Sequence, residues 1–293
     1  VCSSDLLVEM LTGIQTDQLQ EEKDRGLTID LGFAYSKIGG LSIGFVDVPG
    51  HIKFINNMLA GVGAVDLALL VVAADDGMMP QTLEHLAILE ALRVPALLVA
   101  LTKIDRVEPA RCLEVEAAIG QQLQGTAFEK SQVIPCSSVN RTGESELITA
   151  LKDHAQRMQQ RSDSGHFRMA IDRTFSIKGA GTVVTGAILA GEIGLSDTLF
   201  APNQSQSFKV RGLHRQNVVS ASASAGDRAA LNLTGQQAAL SDLTRGDWLT
   251  ANPTMSAQRH CDIMLQVLPA EKKSIRHWTS VHVHHAAQHT LGH

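Results

Sequence analysis

Three short polar segments follow apolar runs of strand length, and each contains residue types that can bind a nucleotide. They are residues 47–51 (Asp-Val-Pro-Gly-His), 102–105 (Thr-Lys-Ile-Asp) and 136–139 (Cys-Ser-Ser-Val). In open α/β sheets, ligands bind outside the carboxyl ends of the strands. The three segments are therefore predicted to lie at the ligand-binding edge of a sheet.

The first segment has the chemistry of a phosphate and Mg²⁺ site. The carboxylate of Asp47 can hold Mg²⁺ through a water molecule, and Gly50 allows a backbone N–H to approach a phosphate oxygen. Upstream, Thr28 within residues 25–29 (Arg-Gly-Leu-Thr-Ile) supplies a hydroxyl that could reach the same ion from a mobile loop.

The other two segments have the chemistry of a guanine site. Asp105 can accept hydrogen bonds from the two N–H groups on one edge of guanine, which adenine does not present. Backbone N–H groups near Ser137 and Ser138 can reach the guanine oxygen. Taken singly, each motif is short enough to occur by chance in an ordinary turn. Together, in this order and each after a strand, they favour a guanine-nucleotide site.

The sequence around these motifs alternates between strand-like and helix-like patterns. Residues 67–74 (LALLVVAA) are continuously apolar, as expected for a strand buried on both faces of a sheet. Predicted strands are 41–46, 67–74, 96–101 and 133–135, and predicted helices are 7–13, 81–92, 108–124 and 144–160. This alternation predicts a parallel, doubly wound sheet.

The pattern changes near Arg161, where a polar stretch precedes short strand-like runs separated by glycines. Such runs predict a small β-barrel, and a further β-rich run is predicted after Pro253. The predicted divisions are an incomplete nucleotide-binding domain, a linker, a barrel and the start of a third β domain, at 1–160, 161–165, 166–252 and 253–293.

The composition excludes several classes of protein. The net charge of the 293 residues is −5, so any RNA contact must use a local basic surface. No apolar run approaches the roughly 18 residues that cross a bilayer, and no signal pattern precedes the first element. The four cysteines are scattered without a CxxC spacing, which favours reduced, mostly buried thiols. These features predict a cytoplasmic protein.

Longer segments make the chain similar to a known family. Residues 21–33, 47–63, 69–77, 81–89 and 100–107 resemble the bacterial selenocysteine-specific elongation factors, which are translational GTPases. Residues 171–186 resemble the start of the tRNA-binding barrel of the elongation-factor superfamily. The resemblance to the selenocysteine-specific branch in particular depends on fewer residues. These are 29–32 (Ile-Asp-Leu-Gly), 60–63 (Ala-Gly-Val-Gly), Thr102 and 282–286 (His-Val-His-His-Ala).

The resemblance implies an α/β fold, in which a P-loop-type GTPase domain is followed by small β-barrel domains of the translation elongation factor type. It implies GTP and Mg²⁺ as cofactors, with Thr28 and Asp47 holding Mg²⁺ through water. His51 would position the attacking water and Thr28 would sense the γ-phosphate, because phosphoryl transfer depends on positioning and electrostatics. The nucleotide-binding residues carried over are Asp47, Gly50, Thr102, Lys103, Asp105, Ser137 and Ser138.

The resemblance also implies function and partners. The factor would deliver selenocysteyl-tRNA to the ribosome at UGA codons, and a messenger RNA hairpin would bind a C-terminal region that this sequence does not contain. The family's aminoacyl pocket favours arginines, because a selenol is acidic and binds as an anion. The residues carried over to it are Asp30, Arg173, Arg211 and His214. Two alternatives stay open, a general aminoacyl-tRNA elongation factor and a non-catalytic remnant.

The sequence departs from the family at its beginning. Family members open with a strand and a glycine-rich loop ending in Gly-Lys-Thr, directly before the helix predicted here at 7–13. Ser4 falls at the position of the loop lysine and Asp5 at that of the Mg²⁺-binding threonine, so residues 1–5 are expected to be foreign. A carboxylate there would repel phosphate. We therefore expect a first domain that lacks its first strand and phosphate loop, is poorly stable, and neither binds GTP tightly nor hydrolyses it.

Several histidines lie near the end of the sequence. They are His277, His282, His284, His285, His289 and His293. His282 and His284 alternate with Val281 and Val283, which is the periodicity of a strand with a polar outer face. The alternation favours an ordinary strand over a metal site.

Overall fold

The computed structural model describes residues 3–16, 22, 28–51, 54–62, 65–158, 165–179, 181–202, 204, 206–256, 258, 260–267 and 274–293. The chain forms two compact units, Val1–Gln159 and Gln160–His293. The predicted linker at 161–165 lies outside the described residues except for its last residue, and the further division at Pro253 stays a prediction. Among the described residues, no helix has the length and apolar character needed to cross a membrane.

The first unit contains two sheets. Its helices are α1 (Ser3–Thr12), α2 (Ile55–Val62), α3 (Pro80–Ala91), α4 (Pro109–Leu123) and α5 (Glu144–Arg157). Its strands are β1 (Gly32–Ile38), β2 (Leu41–Asp47), β3 (Ala68–Ala73), β4 (Leu97–Thr102) and β5 (Gln132–Pro135). Strands β3, β4 and β5 form a parallel sheet in that order, whereas β1 and β2 form a separate antiparallel pair.

Strand β4 is central in the parallel sheet, and every one of its residues is buried. Leu97, Val99 and Leu101 pack in the core that includes α3 and α4. Leu98 and Ala100 point to the other core, which α1 and α5 complete. Burial on both faces explains the uninterrupted apolar sequence and confirms the predicted doubly wound arrangement. Helix α1 contacts β1, β2 and β3, so a single helix covers both sheets.

The predicted elements of this unit agree with the structure to within a few residues. The largest difference is at α1, which begins at Ser3 instead of residue 7, and the next largest is at α5, which ends at Arg157 instead of residue 160. Met158 follows it with extended backbone angles (φ −65°, ψ 130°), so the helix stops there although the sequence remains polar and helix-compatible.

Six strands of the second unit close into a barrel. Their order is β10-β13-β7-β6-β14-β9, and β9 pairs back onto β10. The strands of the unit are β6 (Arg168–Ile177), β7 (Gly181–Ala190), β8 (Glu192–Gly194), β9 (Thr198–Phe200), β10 (Ser207–Arg215), β11 (Val218–Val219), β12 (Ser222–Ser224), β13 (Arg228–Thr234) and β14 (Trp248–Thr250), and a short helix, α6, spans Gln237–Ser241. Inward residues such as Phe208 and Val210 are buried, whereas Lys209 between them is exposed, which is the alternation of a filled barrel.

Three irregularities in strand pairing shape the barrel, and the first lies between Arg168 and Met169 of β6. The other two are bulges of one residue. The pairing register shifts around Asp172 in β6 and around Arg211 in β10, so each of these residues is the additional one in its strand. The guanidinium of Arg228 donates two hydrogen bonds to the Asp172 carboxylate, at 2.9 and 2.8 Å, and the Thr185 hydroxyl donates a third. Charge-assisted bidentate pairs of this kind are strong, so the bulge at Asp172 is firmly held.

The end of the chain differs from the prediction. In the described residues from 253 to 280 there is no strand, so the β-rich run predicted directly after Pro253 is wrong there. The apolar side chains of Ile263, Met264 and Leu265 are exposed. Apolar content alone does not form a strand, because its backbone groups also need a pairing partner. Strands form later, as the antiparallel hairpin of β15 (Val281–His285) and β16 (Gln288–Gly292).

The cysteines are also less buried than predicted. Among the described cysteines, Cys136 is buried, Cys112 is half-buried and Cys261 is exposed. All three are free thiols. Burial raises the pKa of Cys136 to about 11, so this thiol is not a reactive one near neutral pH.

Candidate functional site

Two of the predicted segments meet at the carboxyl ends of β4 and β5. These strands are parallel neighbours, with Leu101 paired to Pro135, so the turn after Thr102 lies beside the turn after Cys136. The Cys136 N–H donates to the Leu101 carbonyl at 2.8 Å, which extends the pairing to the start of the second turn. The structure thus brings the proposed guanine-contacting residues to neighbouring strand ends.

Thr102 ends β4 inside the sheet and is almost completely buried. Its hydroxyl donates to the Val72 carbonyl at 3.3 Å, and its carbonyl accepts from the Ala74 N–H at 2.8 Å. Both contacts tie it to β3. Thr102 therefore fixes where the following turn begins, while its own side chain is directed into the sheet.

Lys103 starts this turn in the left-handed backbone conformation (φ 58°), and a 3-10 turn, Ile104–Arg106, follows. Its ammonium group lies 3.2 Å from the Asp75 carboxylate and 3.4 Å from that of Asp76. Arg106 lies 3.4 Å from the same Asp75 carboxylate. Asp105, between the two cations in sequence, is exposed at the surface of the turn, where a planar base can reach it.

The cations around Asp75 change the pKa of its carboxyl group. Burial acts to raise its pKa, but the hydrogen bond and charge of Lys103, together with the Asp76 backbone N–H and the charge of Arg106, bring the pKa below its ordinary value. Asp75 is therefore ionised at neutral pH and holds the Lys103 ammonium group on the β3 side of the turn.

The turn after β5 is held by its own backbone. The Ser137 N–H donates to the Thr142 carbonyl at 3.0 Å, and the Ser137 hydroxyl accepts from the Val139 N–H at 3.3 Å. Ser137 is fully buried, whereas Ser138 is partly exposed. Gly143 closes the turn with φ 75°, and a Cβ there would lie 2.1 Å from the Pro135 carbonyl oxygen. Only glycine fits this position, so the shape of the turn depends on Gly143.

The phosphate-side segment follows β2, which belongs to the two-stranded sheet. Asp47 is buried, and its carboxylate accepts a hydrogen bond from the Thr16 hydroxyl at 3.0 Å. His51 is half-buried, with its ring centroid 6.1 Å from that of Phe54. These residues lie together after one strand, and they are separate in sheet pairing from the turns after β4 and β5.

Gly50 touches helix α3 through His85. A Cβ on Gly50 would lie 3.9 Å from Cε1 of His85, which is ordinary van der Waals contact. Burial lowers the pKa of His85, although the charge of Glu84 and a hydrogen bond with the Gly50 backbone act to raise it. The imidazole is therefore neutral at pH 7 and packs against the glycine that is proposed to approach phosphate.

Thr28 is buried, and the backbone that follows it is held by two side chains. The Glu22 carboxylate accepts hydrogen bonds from the N–H groups of Ile29 and Asp30, at 3.0 and 3.1 Å. The amide of Asn57 donates to the Ile29 carbonyl at 2.9 Å. Residues 25–27 of this segment, and residues 52–53 after His51, lie outside the described residues.

The barrel residues proposed for the aminoacyl pocket are not brought together by strand pairing. Arg173 lies on β6, while Arg211 and His214 lie on β10, and two strands separate β6 from β10 in either direction around the barrel. Arg211 and His214 are exposed and Arg173 is half-buried. Asp30 belongs to the first unit.

Sequence reasoning missed three residues of the site. Thr16 bonds the proposed Mg²⁺ carboxylate, Glu22 holds the backbone after Thr28, and Asp75 holds Lys103. A single sequence offers no signal for Thr16 or Glu22, because their partners are distant in sequence. Asp75 has a weak signal, since it directly follows a buried strand as the other candidates do.

Comparisons with known proteins agree with this geometry. The family model described as the elongation factor Tu GTP binding domain matches residues 5–157. The selenocysteine-specific elongation factor of Escherichia coli (strain K12) is 44% identical over 289 residues, which cover 98% of this chain and 46% of that protein. That of Methanocaldococcus jannaschii is 34% identical and covers 85% of this chain and 53% of that protein. The chain thus spans about half the length of the curated relatives it matches.

Solved structures similar to this chain belong to the same class of elongation factors. A bacterial selenocysteine-specific elongation factor, EF-Sec, superposes with a TM-score of 0.78 and 31% identity over 84% of this chain and 42% of that chain. The elongation factor SelB of Methanococcus maripaludis, in complex with a GTP analogue, superposes with a TM-score of 0.75 and 32% identity over 85% of this chain and 52% of that chain. The predicted resemblance and the predicted fold class, a GTPase domain followed by an elongation-factor barrel, are confirmed.

Proposed function

Because this chain belongs to the family of proteins with the elongation factor Tu GTP-binding domain, we propose that it works as part of a factor that binds GTP and delivers selenocysteyl-tRNA to the ribosome at UGA codons. The observation that supports the proposal is that the turn carrying Asp105 and the turn carrying Ser137 and Ser138 follow the ends of two paired parallel strands, β4 and β5. The alternative, a general aminoacyl-tRNA factor, is less well supported. An elongation factor 1-alpha, from Methanopyrus kandleri, is 31% identical over 79% of the chain, against 44% over 98%.

On this proposal, the two turns recognise the base. Asp105 accepts from the two guanine N–H groups, and the backbone at Ser137 and Ser138 donates to the guanine oxygen. Thr102 anchors the turn through its buried hydroxyl, and the stem of Lys103 lies along the base while Asp75 holds its ammonium group. Recognition of this kind is selective, because adenine would leave these groups unpaired.

The residues after β2 suit the triphosphate end. The carboxylate of Asp47 and the hydroxyls of Thr16 and Thr28 are hard oxygen donors, which fit Mg²⁺. When bound, Mg²⁺ neutralises phosphate charge. The backbone N–H of Gly50 is placed to donate to phosphate, and His51 orients the attacking water. Since such a histidine acts by positioning, its partly buried place beside Phe54 matters more than its protonation.

The cargo is proposed to bind on the barrel. Arg173, Arg211 and His214 are cationic or hydrogen-bonding side chains that suit a selenolate, and Asp30 remains a sequence-based assignment. The two bulges favour such a role for the arginines, because bulges redirect side chains away from ordinary strand alternation. The proposal includes a cytoplasmic location and the ribosome and a messenger RNA hairpin as partners.

We expect replacement of Arg173 or Arg211 by alanine to weaken binding of selenocysteyl-tRNA more than binding of the same tRNA charged with serine. Losing one charge-assisted contact to the selenolate should cost about 1–3 kcal/mol, whereas the serine hydroxyl offers no charge to lose. The variants would be made in a form in which a strand and a phosphate loop of the family's Gly-Lys-Thr type precede residue 6, so that GTP can be bound. Equilibrium binding of both tRNAs would be measured with GTP present, and Lys209→Ala, an exposed cation on β10, is the matched control.

Two outcomes of that experiment are informative. Equal losses for both tRNAs would show that the arginines contact only the phosphate backbone. Because β6 and β10 are not neighbours in the barrel, a selective loss in one variant alone would assign the cargo to that side of the barrel.

A further inference from the structure

One face of the β15–β16 hairpin carries three imidazoles. His282 and His284 are two residues apart on β15, so their side chains share a face, and His289 of β16 is paired directly opposite His284. His289 is also the diagonal neighbour of His282, because His282 pairs with Leu291. All three side chains are exposed. The sequence shows only the His282–His284 alternation, and the pairing register adds the third imidazole.

The remaining histidine of the strand is engaged elsewhere. His285 lies on the opposite face of β15 and stacks on Trp248 of the barrel, with centroids 5.0 Å apart. The three-histidine face is therefore a distinct cluster, and the hairpin that carries it is packed on the barrel through His285.

The spacing of the cluster is close to that of a metal site. The ring centroids of His284 and His289 are 5.7 Å apart, and those of His282 and His289 are 6.4 Å apart. Zn–N distances of about 2.0 Å and tetrahedral angles place two ligating rings about 5 Å apart, centroid to centroid. In the described part of the chain, no three His, Cys, Asp or Glu side chains are yet close enough to hold an ion together. The two measured ring separations exceed the separation expected for zinc ligands by about 1 Å. Exposed histidines can close this gap by rotation about their side-chain bonds.

The ligand type suits a transition metal. Imidazole nitrogens suit zinc, copper and nickel, whereas Mg²⁺ prefers oxygen ligands.

We propose that His282, His284 and His289 form a binding site for a divalent transition-metal ion, of which zinc is the representative. Three imidazoles and one water would complete a tetrahedral zinc site, and the ion would fasten β15 to β16. The site uses none of the residues proposed for the nucleotide site or for the aminoacyl pocket.

The test is calorimetric titration of the untagged, chelator-treated 293-residue chain with Zn²⁺. We expect one ion per chain with micromolar affinity, and at least a tenfold weaker affinity in His284→Gln and in His289→Gln. The control His260→Gln removes an exposed histidine that lies outside the hairpin, next to Cys261, and should leave binding unchanged. Titration with Mg²⁺ should give no binding at this site.

A second measurement covers the case in which a variant is poorly folded. Co²⁺ added to the unaltered chain should broaden the imidazole proton signals of the three histidines first and should give no thiolate charge-transfer absorption. Unchanged Zn²⁺ affinity in His284→Gln and His289→Gln, equal weakening by His260→Gln, or a thiolate band with Co²⁺ would each overturn the proposal.

Discussion

Replacing Asp105 by asparagine should transfer nucleotide preference from GTP to xanthosine triphosphate. The carboxylate accepts from two guanine N–H groups, whereas an amide offers one acceptor and places its own N–H against guanine. Xanthine has an oxygen at that position, which accepts from the amide. A site built to pair its partner rejects a mismatched one strongly, so GTP affinity should fall by about 10²–10⁴-fold. Because Asp105 is exposed in the turn after β4, this substitution tests the base site most directly.

This experiment needs a form that binds the triphosphate firmly. We define the loop-bearing chain as a strand and a phosphate loop of the family's Gly-Lys-Thr type joined to residues 6–293. Competition against a fluorescent GTP analogue gives both affinities. Asp76→Asn is the matched control, because this carboxylate also lies near Lys103, at 3.4 Å, but has no proposed contact with the base. An unchanged GTP preference in Asp105→Asn would refute the assignment of Asp105.

The 293-residue chain by itself should bind GTP weakly and should not hydrolyse it. Its sequence contains no Gly-Lys-Ser/Thr segment, and Ser4 and Asp5 begin helix α1 instead. A phosphate loop supplies several charge-assisted hydrogen bonds, each worth about 1.5–3 kcal/mol, so two of them account for about a thousandfold in affinity. Asp5 adds a negative charge in the first turn of the helix, where a phosphate would otherwise be favoured.

Titration with a fluorescent GTP analogue and Mg²⁺ checks this prediction. The loop-bearing chain should bind in the micromolar range or tighter, and the 293-residue chain should not saturate in the same range. Micromolar binding by the 293-residue chain would mean that its first residues form a phosphate site of another kind.

The sequence predicts the parallel sheet well because its signal is local. Strand β3 was predicted at 67–74 and lies at Ala68–Ala73, since a run buried on both faces is apolar throughout. The turn residues follow from such strands, because a polar group directly after a buried strand has few places to lie. The same logic fails after Pro253, where apolar residues such as Met264 are fully exposed and no pairing partner is described.

What the sequence does not predict depends on contacts between distant residues. The hydrogen bond between Thr16 and Asp47 joins residues 31 positions apart, and the pair of Asp75 and Lys103 joins two different strand ends. The order of the strands in the barrel also depends on pairing between residues that are distant in sequence. It places Arg173 and Arg211 on strands that do not pair, although the family resemblance assigns both to one pocket.

The measurement that tests the account most directly is the nucleotide dependence of selenocysteyl-tRNA binding. The loop-bearing chain would be loaded with a non-hydrolysable GTP analogue, with GDP or with an ATP analogue, and titrated with selenocysteyl-tRNA. We expect tight binding only with the GTP analogue, because Thr28 and Gly50 are proposed to respond to the γ-phosphate and Asp105 to guanine. Equal affinity in all three states would contradict it.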